Sequence, residues 1–186
     1  METMHLIVQK KPTIEPLLPL IAGSFQDYKI TKISSQAILI TFSQTIDTND
    51  FEDVYSLWLS DIEEPFKLLF LPYNAFNVLD VKDILIALEA LSPKVYYFTE
   101  ILLHTIQSDY KLKHSIIKKL NKVLIPSLIT TLLRLAEADM NMSIAAKKLY
   151  IHRNTMLYRI DQIHSLTGID PKHFEGLLIF YLLFKR

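Results

Sequence analysis

Four consecutive residues, His152, Arg153, Asn154 and Thr155, carry side-chain groups suited to the edges and backbone of a nucleic-acid duplex. An arginine offers two parallel donors to guanine, an asparagine matches the donor and acceptor of adenine, and hydroxyl and imidazole groups reach phosphate oxygens. They stand within a run from Ser143 to Thr167 that reads as a short helix, a tight turn and a longer helix. The spacing predicts a first helix over Ser143–Leu149, with Ser143 as N-cap and Ala145 and Ala146 small enough for a second helix to pack closely. Ile151 in the turn and Met156, Ile160 and Ile163 beyond it form an apolar stripe at helical spacing. Asn154, Tyr158, Asp161, Gln162 and Ser165 fall on the opposite, wet face. In a helix-turn-helix the first turn of the second helix meets the base edges, which assigns that task to His152–Thr155.

Each of these residues also has a plain structural reading. His152 suits a cap and turn position first, and Asn154 or Thr155 can cap the helix as well as touch a base. The Tyr158 ring can pack while its hydroxyl reaches phosphate. Arg159 lies at the edge of the apolar stripe, where a structural ion pair competes with a DNA contact. Lys147 and Lys148, on the first helix, suit phosphates, and solvation alone would also account for them.

The string Tyr150-Ile151-His152-Arg153-Asn154-Thr155-Met156-Leu157-Tyr158-Arg159, followed by Ile160 and by Leu166-Thr167-Gly168, resembles the C-terminal helix-turn-helix of PucR/CdaR-type bacterial transcription regulators. The resemblance covers Ser127 to Arg186. It implies a recognition helix opened by the His-Arg-Asn-Thr run and closed by Leu-Thr-Gly, with double-stranded DNA as partner. Tyr150 stands where a general helix-turn-helix often has a turn glycine, although a bulky residue is usual in the resembled family. A positive φ costs less with glycine.

The rest of the chain must hold that turn in place. At 186 residues, half of them hydrophobic and only three of them glycine, it is long enough for one or two compact domains with a real core. Without cysteine, disulfide and thiolate chemistry are excluded, and a reducing cytoplasm is the expected compartment. The N-terminus lacks the pattern of a signal peptide, and the longest apolar runs, such as Leu177–Phe184, are far short of the ~20 residues that span a bilayer, so no membrane partner is expected. A net charge of zero conceals a division: residues 1–110 carry 7 Lys+Arg against 15 Asp+Glu, a net of −8, and residues 111–186 carry 13 against 5, a net of +8. The basic half suits a phosphate backbone that would repel the acidic half. Attraction between halves, within one molecule or across a dimer, is the other reading of the same numbers.

Along the acidic half, Met1 to about Ile21 reads as a strand or arm followed by an irregular lead-in, because of Pro12, Pro16 and Pro19. Tyr28–Ser34, a turn at Ser34-Ser35-Gln36 and Ala37–Phe42 form a β-hairpin. Asn49-Asp50-Phe51-Glu52 has capping-box spacing and opens a helix with Phe51, Val54, Tyr55 and Trp58 on one face. Phe66–Leu71 is a strand ended by Pro72. Asp80 caps a helix with Val81, Ile84, Leu85, Leu88 and Leu91 on its buried stripe, stopping at Ser92-Pro93. Val95–Phe98 fits a last strand, with helix as the alternative. The order suggests helices on a mainly antiparallel sheet, which resembles the degenerate cyclase-like domain that often precedes the PucR-type DNA-binding domain. From Thr99 the pattern is helical: Thr99–Ser108, a lysine-rich Leu112–Leu124, Ser127–Ala138 after Pro126, the reading head, and a last helix opened by Asp170-Pro171.

No enzyme constellation stands out. The six histidines form no His-Glu-x-x-His set, no Gly-x-Ser-x-Gly elbow exists, and Gly23, Gly168 and Gly176 cannot build a phosphate loop. Glu63-Glu64 precedes Pro65 in a loop, where exposed charge explains it better than acid/base work. Trp58, Phe66, Phe70 and Tyr73 suit core packing before a ligand pocket. The sequence therefore predicts an α+β chain: an α/β domain over 1–98 for dimerisation or signal input, a helical connector over 99–126, and an all-α helix-turn-helix domain over 127–186. The expected function is sequence-specific DNA binding in transcription regulation, without catalysis, cofactor or metal, by a homo-oligomer responsive to an unknown small-molecule effector. A protein-docking module built on the same helix-turn-helix is the alternative, motivated by Asp161 on the outward face.

Overall fold

The computed structural model describes residues 4–43 and 50–185. The fold class is α+β, as expected, and the chain divides into two compact units. One takes the residues to Tyr73 with Leu88–Phe98, the other Asn74–Ala87 with everything from Thr99 onward.

The first unit is built on a sheet of β1 (His5–Gln9), β2 (Tyr28–Lys32), β3 (Ala37–Phe42), β4 (Lys67–Leu71) and β5 (Val95–Tyr97), in the order β2-β3-β1-β4-β5. The N-terminal segment is thus the central strand. It pairs antiparallel with β3 from His5↔Thr41 to Gln9↔Ala37, and with β4 from His5↔Leu71 to Gln9↔Lys67. All five of its residues are buried. A strand covered on both faces loses the alternation that marks a half-exposed one, which is why His5–Gln9 does not announce its position. The hairpin forms as predicted, from Tyr28↔Phe42 to Lys32↔Ile38, and its turn is closed by Ser34 N donating to Ala37 O and Gln36 N donating to Ser34 Oγ. β2 lies at the sheet edge, where exposed Lys29 and Lys32 oppose further strand addition. β4 and β5 run parallel and require a crossover, supplied by α3 (Val81–Glu89).

The lead-in after β1 is not irregular. It contains a 3-10 turn at Glu15–Leu17 and a helix, α1 (Leu18–Ser24), because prolines fall in the first turns, where no backbone N–H is needed. Ile14, Leu17 and Ile21 pack with Leu6, Val8, Ile38, Ile40, Phe42, Leu68 and Phe70 in one core. α2 (Asp50–Ile62) adds Trp58, whose indole N–H donates to Ser24 Oγ at 2.9 Å. The capping box proposed at Asn49 lies outside the described residues. Phe66 and Phe70 join this core with Trp58, so core packing is their role, whereas Tyr73 is exposed and stacks on His5. Burial holds the His5 imidazole below its usual pKa, against a smaller opposing effect of its hydrogen bond to the backbone of Tyr73.

Glu64 is not a free surface charge: it pairs with Lys10, which is buried at 1 % exposure. Lys67, its pKa lowered chiefly by burial, donates to Leu88 O at 2.5 Å.

The second unit carries α4 (Phe98–Ser108, from Thr99 onward), α5 (Tyr110–Val123), α6 (Pro126–Ala136), α7 (Met142–Lys148), α8 (Arg153–Thr167) and α9 (Phe174–Phe184). Asp109 opens α5, its carboxylate accepting from Lys111 N at 2.8 Å and Leu112 N at 3.0 Å. α9 begins three residues later than Asp170-Pro171 implies. The Asp170 side chain turns back to accept from Lys172 N, its carbonyl accepts from His173 N, and Pro171 is buried in that turn. α9 then comes so close that a Cβ on Gly176 would meet Asp170 O at 2.1 Å, a packing demand that only glycine satisfies.

Candidate nucleic-acid interface

α6, α7 and α8 form a three-helix cluster closed by α9, which packs on α6 and α5. α7 starts one residue earlier than predicted and Ser143 is not its cap. Asn141 is, its side-chain oxygen accepting from Ser143 N and Ile144 N at 3.1 Å each. Asn141 has the extended backbone a cap requires, while Ser143 already lies within the first helical turn. Ala145 and Ala146 are buried at the contact with α8, as their size implies.

α7 ends in a Schellman motif. Tyr150 N donates to Lys147 O and Ile151 N to Ala146 O, both at 3.1 Å. Tyr150 occupies the left-handed position with φ 54°, and its side chain is 97 % exposed. A non-glycine residue in this conformation costs about 1–2 kcal/mol, and the exposed ring recovers none of that through packing. Tyr150 is the residue that sequence reasoning considered only as a turn former. Its signal is the missing glycine itself.

His152 caps α8, its Nδ1 accepting from Asn154 N at 3.2 Å. Arg153, Asn154 and Thr155 follow, and all four side chains are exposed on the first helical turn. Beneath them Met156, Ile160 and Ile163 are fully buried, so the apolar stripe holds the helix and leaves the polar start free to face outward. A helix start adds orphan backbone N–H groups and the positive end of the helix dipole, which favour phosphate. Gly168, with φ 71°, ends the helix where the Leu-Thr-Gly run places it.

The other expected site residues divide. Tyr158 is 68 % exposed, one turn beyond Asn154. Lys147 is exposed on α7. Lys148 donates to Glu137 O at 2.8 Å, which fixes the end of α6 against α7. Arg159 is half-buried and its Nη1 donates to the buried Thr131 Oγ1 at 3.3 Å. Its partner is a hydroxyl, not the carboxylate of an ion pair. His152, Arg153, Asn154, Thr155 and Tyr158 are therefore brought together on the outer surface of α8, with Lys147 and Tyr150 on the preceding helix and turn, whereas Lys148 and Arg159 are engaged with α6. Asp161 pairs with Lys172 at 2.6 Å, a hydrogen bond that raises the lysine pKa and balances the one acidic group on this face of α8.

Among the described residues no group of histidines and carboxylates is arranged to hold a metal ion, and no helix is long and apolar enough to cross a membrane.

Comparison with known proteins agrees with this geometry. Residues 128–185 match the family model of the PucR C-terminal helix-turn-helix domain. An uncharacterized protein of Bacillus subtilis, YxkF, is 43% identical over 47 residues, covering 25% of this chain and 16% of that protein. The carbohydrate diacid regulator of Escherichia coli is 46% identical over 37 residues, covering 20% of this chain and 10% of the regulator. The matched segments thus span about a sixth or less of these relatives' own lengths. A solved structure, a regulator of polyketide synthase expression from Bifidobacterium adolescentis, aligns with 98% of this chain and 78% of its own at a TM-score of 0.47 and 16% identity.

Proposed function

We propose that this chain, which carries a PucR-type C-terminal helix-turn-helix domain, is a transcription regulator that binds duplex DNA sequence-specifically through the major groove. The observation that carries the reading is the exposed donor set His152–Thr155 on the first turn of α8, above a fully buried Met156, Ile160 and Ile163. Arg153 and Asn154 read bases, His152 and Thr155 support them at the helix start, and Tyr158 and Lys147 contact the backbone. Tyr150 joins this set, on the strength of its exposure in a strained turn. Lys148 and Arg159 hold the head together, as their hydrogen bonds to α6 suggest.

One such head covers only a few base pairs, so the acting species is a homo-oligomer, with two heads on half-sites about one helical turn apart. In this reading residues 1–98 mediate dimerisation or sense an effector, 99–126 connect, 127–186 bind DNA, and the protein works in the cytoplasm without catalysing a reaction. The Lys172 partner of Asp161 weakens the case for a protein-docking surface, since that carboxylate is not left to attract a basic partner. Selection of bound sequences from a random duplex pool tests the proposal. Enrichment of a pseudo-palindrome is expected, and failure to enrich any sequence would count decisively against DNA reading.

A further inference from the structure

A helix leaves its last four carbonyls without partners inside the helix. In α8 three carbonyls of the last turn are held from a distant part of the chain. Asn74 Nδ2 donates to His164 O at 3.2 Å and also to Ser165 O, and Asn77 Nδ2 donates to Leu166 O at 2.9 Å. Three consecutive carbonyls are thereby engaged by two amides roughly ninety residues earlier in the sequence. The helix does not need them merely to stop, because Gly168 already turns the chain and its N–H donates to His164 O at 2.8 Å.

Asn74 precedes and Asn77 ends a hydrogen-bonded base, the 3-10 turn Ala75–Asn77. Asn77 N donates to Asn74 O, Val78 N and Leu79 N donate to Ala75 O, and Ala75, Val78 and Leu79 are fully buried. Lys119 of α5 grips the same segment from another side, donating to Phe76 O at 3.0 Å and to Asp80 Oδ1 at 2.5 Å. The segment is therefore fixed to both α5 and α8.

We infer that Asn74 and Asn77 are positioning residues for the reading turn at the opposite end of α8. A rod of 15 residues is about 22 Å long, so a tilt of about 5° at its clasped end moves its start by about 2 Å. Base-reading side chains tolerate only about 0.5 Å of misplacement. The consequence is that the DNA-binding domain is not self-contained: the residues that aim its recognition helix lie well before the matched segment 128–185. This inference rests on the DNA reading proposed above.

The test uses the full-length chain with Asn74→Ala/Asn77→Ala, and Asn77→Asp as a shape-preserving variant that replaces the donor with an acceptor facing Leu166 O. Two duplexes are titrated, the sequence enriched by the wild-type chain and a random duplex of equal length, and amide hydrogen exchange across 153–168 is followed without DNA. Both variants are expected to lose about tenfold in affinity for the enriched duplex, with random-duplex affinity within about twofold of wild type, and to exchange faster along α8. A clasp serving stability alone would leave the ratio of the two affinities intact, because loss of folded protein lowers both equally. An unchanged ratio, or unchanged exchange, would overturn the inference while leaving the DNA reading standing. A wild-type chain that enriches no sequence would overturn the DNA reading itself, and this inference with it.

Discussion

In the sheet unit, Lys10 is buried against Glu64, Lys67 donates to the carbonyl of Leu88, and His5 lies in the central strand with its Nδ1 3.0 Å from Thr41 Oγ1. In the helical unit, His152, Arg153, Asn154 and Thr155 stand exposed on one helical turn. Both regions hold histidine and basic side chains next to apolar residues. The difference is direction. A strand at the centre of a sheet has both faces covered, so polar groups at its ends must find partners inside or lose their hydration without compensation. A helix that buries only one stripe can leave its opposite side and its first turn unpartnered at no such cost. Lys10, Lys67 and His5 are thus engaged by folding in the first unit, whereas the side chains of His152–Thr155 stay exposed in the second.

Three variants separate these uses. The largest effect is expected from Arg153→Ala/Asn154→Ala, which should weaken binding to the enriched duplex by about a hundredfold, since each bidentate contact is worth about 1–3 kcal/mol. The melting temperature should stay at the wild-type value. A gel-shift titration beside a thermal melt checks both, and an unaltered affinity would remove the reading role from this turn. Next, Glu64→Ala should lower unfolding stability by about 2 kcal/mol, because it strands a buried ammonium while the half-exposed carboxylate moderates the loss. Urea denaturation measures that change, and DNA affinity per folded molecule should not move. Smallest is Tyr150→Gly, expected to raise stability by about 1 kcal/mol through relief of the left-handed backbone, yet to weaken DNA binding a few-fold. A more stable protein with undiminished affinity would show that the exposed ring has no part in recognition.

Legibility followed distance along the chain. The helix-turn-helix was visible because its determinants are local: the spacing of Met156, Ile160 and Ile163 defines a face, and His152–Thr155 forms the helix start. Local competition accounts for the misplaced boundaries. Asn141 displaced Ser143 as the cap of α7, and the Asp170 side chain made a turn where Asp-Pro suggested a helix start. The hairpin was legible for the same local reason, while α1 was obscured by prolines that a helix tolerates only in its first turn.

The sequence by itself determined the secondary elements around α8, the faces they bury and the chemistry displayed at its start, because helical periodicity and capping act over a few residues. Only the tertiary structure decided that His5–Gln9 runs through the middle of the sheet, that Lys10 is buried against Glu64, and that Asn74 and Asn77 grip the C-terminal end of α8. Each of these depends on hydrogen bonds or ion pairs between residues at least 28 apart, and such partners become neighbours only when burial of apolar surface brings distant segments together.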